Sequence, residues 1–332
     1  MRRAAALLLL LVAWPAAADS IETIAEGVAR HPGVPGAAVG LVTAEGARVA
    51  VAGKRQTLRG PATTEDDRWH LGSLTKAMTA TLAARLVERG LLDWDTTVAD
   101  LLPEPGRYGD ATLAALLAHR AGLPPNMPGP LARGAPSRDR FVRAALRLPI
   151  AGGTPGRFLY SNVGYVVAAA MLEAAAGETW EALMRREVFE PLGMTGAGFG
   201  PPPRNHGHGP GPRAVAPGAA DADNPALMGP AGTVHSGAAD LAAFLAAHLA
   251  WDEGYLSPDS WERLQLDEAY AMGWRVDDEG RLHHVGSNTL WWAVMEIDHA
   301  AGRALFVLVN AGDQRSVRAP VLEAVQALRE AR

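Results

Sequence analysis

The segment Ser73-Leu74-Thr75-Lys76 opens a run of helical periodicity and places a hydroxyl and an amine three residues apart. Residues at that spacing lie on one face of a helix, with Cβ atoms about 5–6 Å apart. A serine hydroxyl is a weak nucleophile that needs a neighbouring base. Lysine serves as that base only when burial or a nearby positive charge lowers its pKa. The pair predicts nucleophilic catalysis by Ser73 with Lys76 as base; the alternative is a helix cap beside a solvated lysine.

The segment Tyr160-Ser161-Asn162 stands directly before a second helical run that begins at Val163. A tyrosine phenol beside an amine can accept or give a proton, which would complete a serine–lysine–tyrosine relay. An asparagine amide can donate to a substrate carbonyl and accept from the lysine. The pattern predicts proton transfer by Tyr160 and a substrate contact by Asn162. The alternative is a buried tyrosine with Asn162 as the helix cap.

His284-Val285-Gly286 ends a predicted strand over Arg281–Val285 or lies inside it. Glycine lets a strand approach a ligand closely. The backbone N–H of the next residue, Ser287, could then be a donor to an oxyanion. Alone, this segment is a weak signal, and it gains weight from its position in the chain after the two other segments.

The elements that must position these segments follow from periodicity and turn residues. Helices are predicted over Ile21–Arg30, Ser73–Arg89, Asp110–His119, Asp139–Leu148, Val163–Ala176, Thr179–Glu190, Ser236–Ala250 and Val317–Arg329. Strands are predicted over Ala37–Thr43, Arg48–Ala52, Ala271–Val276, Arg281–Val285, Trp291–Ile297 and Arg303–Val309. This order predicts an α+β fold: an antiparallel β-sheet flanked by N- and C-terminal helices, with an inserted all-helical domain.

Composition excludes several classes of function. Hydrophobic residues make up 48% of the chain and charged residues 20%, with a net charge of −5 and no basic run, so nucleic acid is not an expected partner. The absence of cysteine excludes thiol nucleophiles, thiolate zinc sites and disulfides. Residues 1–18 combine Arg2 and Arg3, an apolar run and small residues at Ala16-Ala17-Ala18. They predict a cleaved signal peptide, a periplasmic or secreted protein, and no stable membrane insertion afterwards.

In this order, S-x-x-K, Y-x-N and H-x-G resemble the motifs of the serine β-lactamase and penicillin-binding-protein superfamily, with H-x-G in place of K-T-G. The nearest branch is similar to class C β-lactamases, D,D-peptidases and related esterases. Further matching segments extend over nearly all of the chain that follows residue 18. They are Leu91-Leu92-Asp93-Trp94-Asp95, the segment Leu116–Leu123, Pro191-Leu192-Gly193-Met194, Gly229-Pro230-Ala231-Gly232 and Gly273-Trp274.

The resemblance implies that Ser73 is the acylated nucleophile, Lys76 its base, Tyr160 the proton shuttle for deacylation and Asn162 a contact for the substrate amide. It implies no cofactor. It also implies one hydrolase domain over residues 19–332. We expect the α/β part to comprise about 19–75 and 226–332, and the helical part about 76–225.

For the third motif, the resemblance places His284 where many members keep a lysine. The N–H groups of Ser73 and Ser287 would form the oxyanion hole, and Gly286 would be part of the substrate-binding strand. K-T-G offers a cation and a hydroxyl to a substrate carboxylate. His284 is charged only part of the time near neutrality, and Val285 has no hydroxyl, which weakens the case for an acidic, antibiotic-type substrate.

Other candidates are weaker. His206 and His208, on the Pro/Gly-rich segment 201–225, resemble a metal pair, but no third ligand is evident and no metal is expected; either could instead border the cleft. His119 follows an apolar helical run, which favours a structural role. Trp291 and Trp292 point to opposite sides if they share a strand, and whether one of them lines a narrow aromatic pocket is left open.

The function predicted is that of an exported serine hydrolase that cleaves an ester or amide through a Ser73 acyl-enzyme. Its expected partners are small esters, amides or peptidoglycan-like molecules. An esterase or D-amino-acid peptidase is favoured over an efficient β-lactamase. The alternatives are a non-catalytic peptidoglycan- or ligand-binding module on the same fold, a true class C-like β-lactamase, and a metallohydrolase built on the histidines.

Overall fold

The computed structural model describes residues 20–57, 60–129, 137–151, 155–210, 213–266 and 270–331, so the predicted signal peptide lies outside the described residues. The described strands are β1 Gly36–Thr43, β2 Gly46–Gly53, β3 Trp69–His70, β4 Gly198–Phe199, β5 Gly207–His208, β6 Ala214–Val215, β7 Val234–Ser236, β8 Tyr270–Ala271, β9 Trp274–Val276, β10 Leu282–Ser287, β11 Trp292–Asp298 and β12 Arg303–Val309. Seven of them form one antiparallel sheet in the order β2-β1-β12-β11-β10-β9-β8.

Helices cover both faces of this sheet. The described α-helices are Ile21–Ala29, Thr75–Glu88, Val98–Leu101, Leu113–Leu117, Arg138–Leu146, Asn162–Ala176, Trp180–Met184, Gly229–Gly232, Ala238–Ala250, Pro258–Gln265 and Gln314–Glu330. The first and the last of these pack against each other and against β1 and β12. The predicted antiparallel sheet with flanking terminal helices is therefore confirmed. The division of the chain at residues 75 and 226 stays a prediction.

The alternating side chains of β12 show how the sheet separates two apolar layers. Phe306 and Leu308 belong to the large cluster shared with the helices of the middle of the chain. Leu305 and Val307 belong to the cluster under the terminal helices. Residues two apart share a face of a strand, so the nearly continuous apolar run of β12 supplies both layers. Among the described residues, no helix is long and apolar enough to cross a bilayer.

Several elements differ from the sequence prediction. The predicted strand Ala271–Val276 is a hairpin, because Gly273 has a φ of 88° and turns the chain between β8 and β9. Helix Pro258–Gln265 was not predicted, and β3, β7 and β4 form a small second sheet in that order. Within the segment 201–225, where no strand was predicted, β5 and β6 pair.

The small sheet anchors the turn that carries Ser73. The N–H of Leu71 donates to the carbonyl of Val234 at 2.9 Å, and the N–H of Val234 donates to Oγ1 of Thr75 at 3.1 Å. The helix that follows is buried at every residue from Thr75 to Ala84. The Ser73 turn is thus fixed by hydrogen bonds to β7 and by the buried helix that follows it.

Candidate active site

Ser73 lies in a 3₁₀ turn, Gly72–Leu74, that leads into helix Thr75–Glu88. Residues three apart are eclipsed in such a turn, and Nζ of Lys76 lies 3.0 Å from Oγ of Ser73. Ser73 is partly exposed, whereas every other residue from 69 to 84 is buried. Its hydroxyl is therefore open to a ligand from solvent, while the amine beside it is enclosed.

The side chain of Lys76 is fully buried, with 0% exposure. Burial disfavours the charged ammonium and holds the pKa of Lys76 well below its usual value. Nζ also donates to the carbonyl of Ala231 at 2.6 Å, which engages one N–H and leaves the lone pair of a neutral amine free to face Ser73. A neutral amine in this place can accept the serine proton.

Tyr160 is fixed by the start of helix Asn162–Ala176, where Oγ of Ser161 caps the first turn by accepting from the N–H of Gly164 at 2.9 Å. The Ser73 side chain lies beside the Tyr160 phenol and lowers its pKa. Nζ of Lys76 lies 5.0 Å from the centroid of the Tyr160 ring. Burial raises the pKa of Tyr160 to about 12, so the phenol carries its proton at neutral pH. The structure brings together the hydroxyl, amine and phenol that the sequence assigned to one relay.

Asn162 is the first residue of its helix, and Ser161 is the cap, so the alternative in which Asn162 caps the helix is wrong. Its Nδ2 donates to Oδ1 of Asn126 at 2.8 Å. The described hydrogen bonds of Lys76 go to Ser73 and Ala231, so the lysine contact considered for Asn162 is not formed. A contact between its amide and a substrate stays a prediction.

His284 lies inside β10 and faces the interior, with 2% exposure. Its Nε2 is 3.3 Å from the hydroxyl of Tyr270, and its Nδ1 is 2.9 Å from the carbonyl of Val285. Burial lowers the pKa of His284 to about 3. The partial charge expected near neutrality is therefore corrected: the ring is neutral there. Its contact with a substrate stays a prediction.

Two glycines, Gly72 and Gly286, allow β10 to lie in direct contact with the Ser73 turn. A Cβ on Gly286 would stand 2.9 Å from the N atom of Ser73 and 2.8 Å from Cδ1 of Leu74. Gly72 has a φ of 52°, and a Cβ on it would overlap the N atom of Ser287. Only glycine fits at either position without a backbone shift. The N–H groups of Ser73 and Ser287 thus belong to two touching segments, as a pair of oxyanion donors requires.

An aromatic cluster around Tyr160 was missed by the sequence analysis. The ring centroid of His119 lies 4.3 Å from that of Tyr160 and 4.5 Å from that of Tyr270. Nδ1 of His119 accepts from the N–H of Ser161 at 3.0 Å. His119 therefore supports the phenol as well as the helix start. No local pattern relates positions 119, 160 and 270, so only the tertiary structure reveals the cluster.

Arg275 was also missed. It is exposed, and its Cζ lies 5.8 Å from the centroid of the Tyr160 ring. Its positive charge lowers the pKa of Tyr160 and so opposes the larger effect of burial. None of the ion pairs within the described residues involves Arg275. A cation therefore stands beside the phenol although His284 is neutral.

The remaining candidates are core or loop residues. Trp291 packs edge-on against Trp69, with ring centroids 6.2 Å apart, and Trp292 lies under the terminal helices. Both tryptophans are buried in the core, which does not support an aromatic pocket lined by either ring. Nδ1 of His208 is 2.6 Å from the carbonyl of Asn310, and its Nε2 accepts from the N–H of Thr57. The described part of the chain holds no group of three or more His, Asp or Glu residues that could bind a metal.

Comparison with known proteins places this arrangement in a family. A family model described as Beta-lactamase matches residues 21–328. The chain belongs to the beta-lactamase family. In fold, this family member is similar to the D-amino acid amidase from Ochrobactrum anthropi, with a TM-score of 0.79 and 22% identity over 93% of this chain and 97% of the amidase.

Two curated relatives of this beta-lactamase family member carry enzyme names. It is 33% identical over 138 residues to the esterase/beta-lactamase LipL of Mycobacterium tuberculosis, which is 40% of this chain and 31% of LipL. It is 24% identical over 202 residues to the D-alanyl-D-alanine-carboxypeptidase/endopeptidase AmpH of Escherichia coli, which is 58% of this chain and 50% of AmpH. The chain thus matches at most half the length of these two relatives. Both of these relatives carry the names of hydrolases.

Proposed function

We propose that this protein is an exported serine hydrolase that cleaves an ester or amide through an acyl-enzyme on Ser73. The observation that carries the proposal is that the accessible Ser73 hydroxyl lies next to two groups that can transfer protons, the Lys76 amine and the Tyr160 phenol. Oγ of Ser73 lies 3.0 Å from Nζ of Lys76, and the Ser73 side chain lies beside the Tyr160 phenol, whose pKa it lowers. Burying an amine costs free energy. Ligand binding alone does not require a buried amine next to a serine hydroxyl, whereas a serine nucleophile requires a base there.

Acylation uses the amine as base. Neutral Lys76 accepts the proton of Ser73 as Oγ bonds to the substrate carbonyl carbon, and the oxyanion that forms accepts hydrogen bonds from the N–H groups of Ser73 and Ser287. The carbonyl then re-forms, and the bond to the alcohol or amine breaks. The Tyr160 phenol gives its proton to that leaving group and receives one from the Lys76 ammonium, so the amine returns to its neutral form.

Deacylation repeats these steps with water. The Tyr160–Lys76 pair takes one proton from the water while the water oxygen bonds to the acyl carbon. The bond between the acyl carbon and Oγ of Ser73 then breaks. Ser73 regains a proton from the same pair, and the acid product leaves. Because the pKa of Tyr160 is about 12, the phenol passes protons without holding a negative charge at neutral pH.

The substrate proposed is a small ester or a D-amino-acid amide. In the K-T-G motif a lysine and a threonine meet a substrate carboxylate; here His284 is neutral and buried, and Val285 has no hydroxyl. This site therefore lacks both contacts to a substrate carboxylate, so we do not expect efficient β-lactamase activity. The names of the relatives LipL, an esterase/beta-lactamase, and AmpH, a D-alanyl-D-alanine-carboxypeptidase/endopeptidase, support esters and D-amino-acid amides as the substrate class.

A fluorophosphonate probe tests the acyl-enzyme. We expect covalent labelling of the wild-type protein on a peptide that contains Ser73, and no labelling of Ser73→Ala. Ser316→Ala, a change of another serine at the start of the C-terminal helix, is the matched control and should label as the wild type does. Absence of both the label and serine-dependent ester turnover would favour a non-catalytic binding module.

A substrate panel tests the specificity. We expect turnover of nitrophenyl esters or D-alanyl peptides with kcat/KM well above that for nitrocefin. Efficient nitrocefin hydrolysis would instead identify a class C-like β-lactamase. Loss of turnover in a chelator would point to metal chemistry, whereas the mechanism proposed here predicts unchanged rates.

Removing the Tyr160 hydroxyl should slow the proton-transfer steps. We expect Tyr160→Phe to lower kcat by about 10²-fold, within the range that a positioned acid–base group contributes. Pre-steady-state kinetics with a nitrophenyl ester measure the effect as a burst followed by slow release. Tyr108→Phe is the control, because its hydroxyl donates to the carbonyl of Pro149 at 3.0 Å and not to Ser73. A wild-type rate for Tyr160→Phe would remove the phenol from the mechanism.

Export rests on residues 1–18, where Arg2 and Arg3 precede an apolar run and an Ala-Ala-Ala site. We expect cleavage after residue 18 when the full chain is expressed in a bacterial host with a Sec pathway. N-terminal sequencing of the periplasmic or secreted protein should begin at Asp19. Recovery of the intact chain in the cytoplasm would reject export.

A further inference from the structure

Asp223, near the end of the segment 201–225, contacts His70 and Asn288, which lie close in the chain to the two candidate oxyanion donors Ser73 and Ser287. Its Oδ1 lies 2.8 Å from Nε2 of His70 and accepts from Nδ2 of Asn288 at 3.1 Å. Nδ1 of His70 in turn accepts the N–H of Gly72 at 3.1 Å. The side chain of His70 is 0% exposed and that of Asp223 is 5% exposed. One enclosed carboxylate therefore links the chain before Ser73 to the chain after β10.

The two links end on the residues that flank the backbone donors. Gly72 directly precedes Ser73, and Asn288 directly follows Ser287. Asn288 also closes the turn after β10, because its Oδ1 accepts from the N–H of Leu290 at 3.2 Å. A small movement of either flanking residue would turn the neighbouring N–H away from the carbonyl oxygen of a substrate.

The hydrogen bond from Gly72 fixes the orientation of the His70 ring towards Asp223. Because Nδ1 of His70 accepts the Gly72 N–H, Nε2 is the ring nitrogen left to face Asp223. It lies 2.8 Å from Oδ1 of Asp223, a close polar contact without hydrogen-bond geometry. Oδ1 of Asp223 also accepts from the N–H of Asn224 at 2.7 Å. Two donors, Nδ2 of Asn288 and the N–H of Asn224, therefore converge on this one oxygen, and Nε2 of His70 lies beside it.

We propose that Asp223 and His70 are positioning residues that hold the Ser73 and Ser287 N–H groups at a fixed separation and direction. The inference rests on the proposed function, because oxyanion donors act only in acyl transfer. It gives the segment 201–225 a part in catalysis without any contact to substrate. Since the donors act on charge that develops in the transition state, their displacement lowers kcat and leaves KM nearly unchanged.

The main test is Asp223→Asn, which keeps the shape of the side chain but sets an amide donor against the His70 N–H or the Asn288 amide. We expect kcat for a nitrophenyl ester to fall about tenfold to hundredfold, as for a misplaced oxyanion donor. The affinity for a boronic acid that forms a tetrahedral adduct on Ser73 should fall by a similar factor. Asp221→Asn, an exposed carboxylate on the same segment, is the matched control and should retain wild-type values.

A double-mutant cycle separates one linked unit from two independent effects. If the residues act together, the double variant Asp223→Asn/His70→Gln should have a kcat no lower than that of the less active single variant. Unchanged kcat and boronate affinity in Asp223→Asn would overturn the proposal. So would a loss of kcat that disappears once rates are divided by the concentration of sites that react with fluorophosphonate, because the defect would then be one of folding.

Failure of the proposed function has a different signature: the wild-type protein would take no fluorophosphonate on Ser73. In that case ¹⁵N NMR of the histidine side chains still tests the link. We expect the His70 imidazole signals to move between wild type and Asp223→Asn and to stay in place in Asp221→Asn. Identical His70 signals in wild type and Asp223→Asn would overturn the link between the imidazole and the carboxylate.

Discussion

Replacing Lys76 by methionine is expected to lower kcat by about 10³-fold, in the middle of the range for a lost acid–base group. Methionine has a similar length and is apolar, so it can fill the buried space without an amine. The variant should melt no lower than the wild type, because the cost of burying an amine is removed along with the hydrogen bonds to Ser73 and Ala231. Steady-state kinetics and thermal melting measure the two effects.

The chain supplies a matched control for this change. It contains two lysines, and Lys54→Met removes the other one, which is exposed and lies at the end of β2, outside the relay. We expect Lys54→Met to keep wild-type kcat. A wild-type rate in Lys76→Met, with the Ser73 label intact, would mean that another group activates the serine.

The pH dependence of Ser73 labelling follows from the same amine. The base works only when it is neutral, so the rate should rise with pH through the pKa of Lys76 and then level off. Burial holds that pKa well below 10.5, so the midpoint should also lie well below that value. Stopped-flow labelling from pH 5 to 11 measures it, and a midpoint at the ordinary value for lysine would contradict a neutral buried base.

The part of the site that the sequence predicts is the part encoded by local geometry. A spacing of three in a helical turn is enough to bring the hydroxyl of Ser73 and the amine of Lys76 together. The segment Tyr160-Ser161-Asn162 was likewise recognised from its place directly before a helical run. The terminal strands and helices were predictable for the same reason, since period-2 and period-3.6 patterns depend on neighbouring residues alone.

The part that the sequence did not predict depends on contacts between distant residues. Asp223 meets His70 across more than 150 positions of chain, and Arg275 meets Tyr160 across more than 100. The neutrality of His284 has the same origin, because its pKa is set by burial in the folded protein and not by its neighbours in the chain. Residue types indicate what a group can do, whereas the environment decides its charge.

Gly286→Ala is expected to abolish most activity, with a fall in kcat of about 10²–10³-fold, the effect of losing an oxyanion donor. The added Cβ would overlap the carbonyl of Leu71 and stand 2.9 Å from the N atom of Ser73. These are backbone atoms that cannot rotate away, so β10 and the Ser73 turn must separate. The Ser73 and Ser287 N–H groups would then no longer point at one oxygen.

Kinetics normalised to the concentration of folded protein, together with thermal melting, distinguish this local effect from loss of the fold. Gly27→Ala is the control, because a Cβ there meets only the end of the Arg30 side chain at 3.8 Å; in helix Ile21–Ala29 it should keep kcat and match or raise stability. If Gly286→Ala folds and turns over ester at the wild-type rate, the two donors need not be held by contact between these segments. The oxyanion would then have to be stabilised from elsewhere in the cleft.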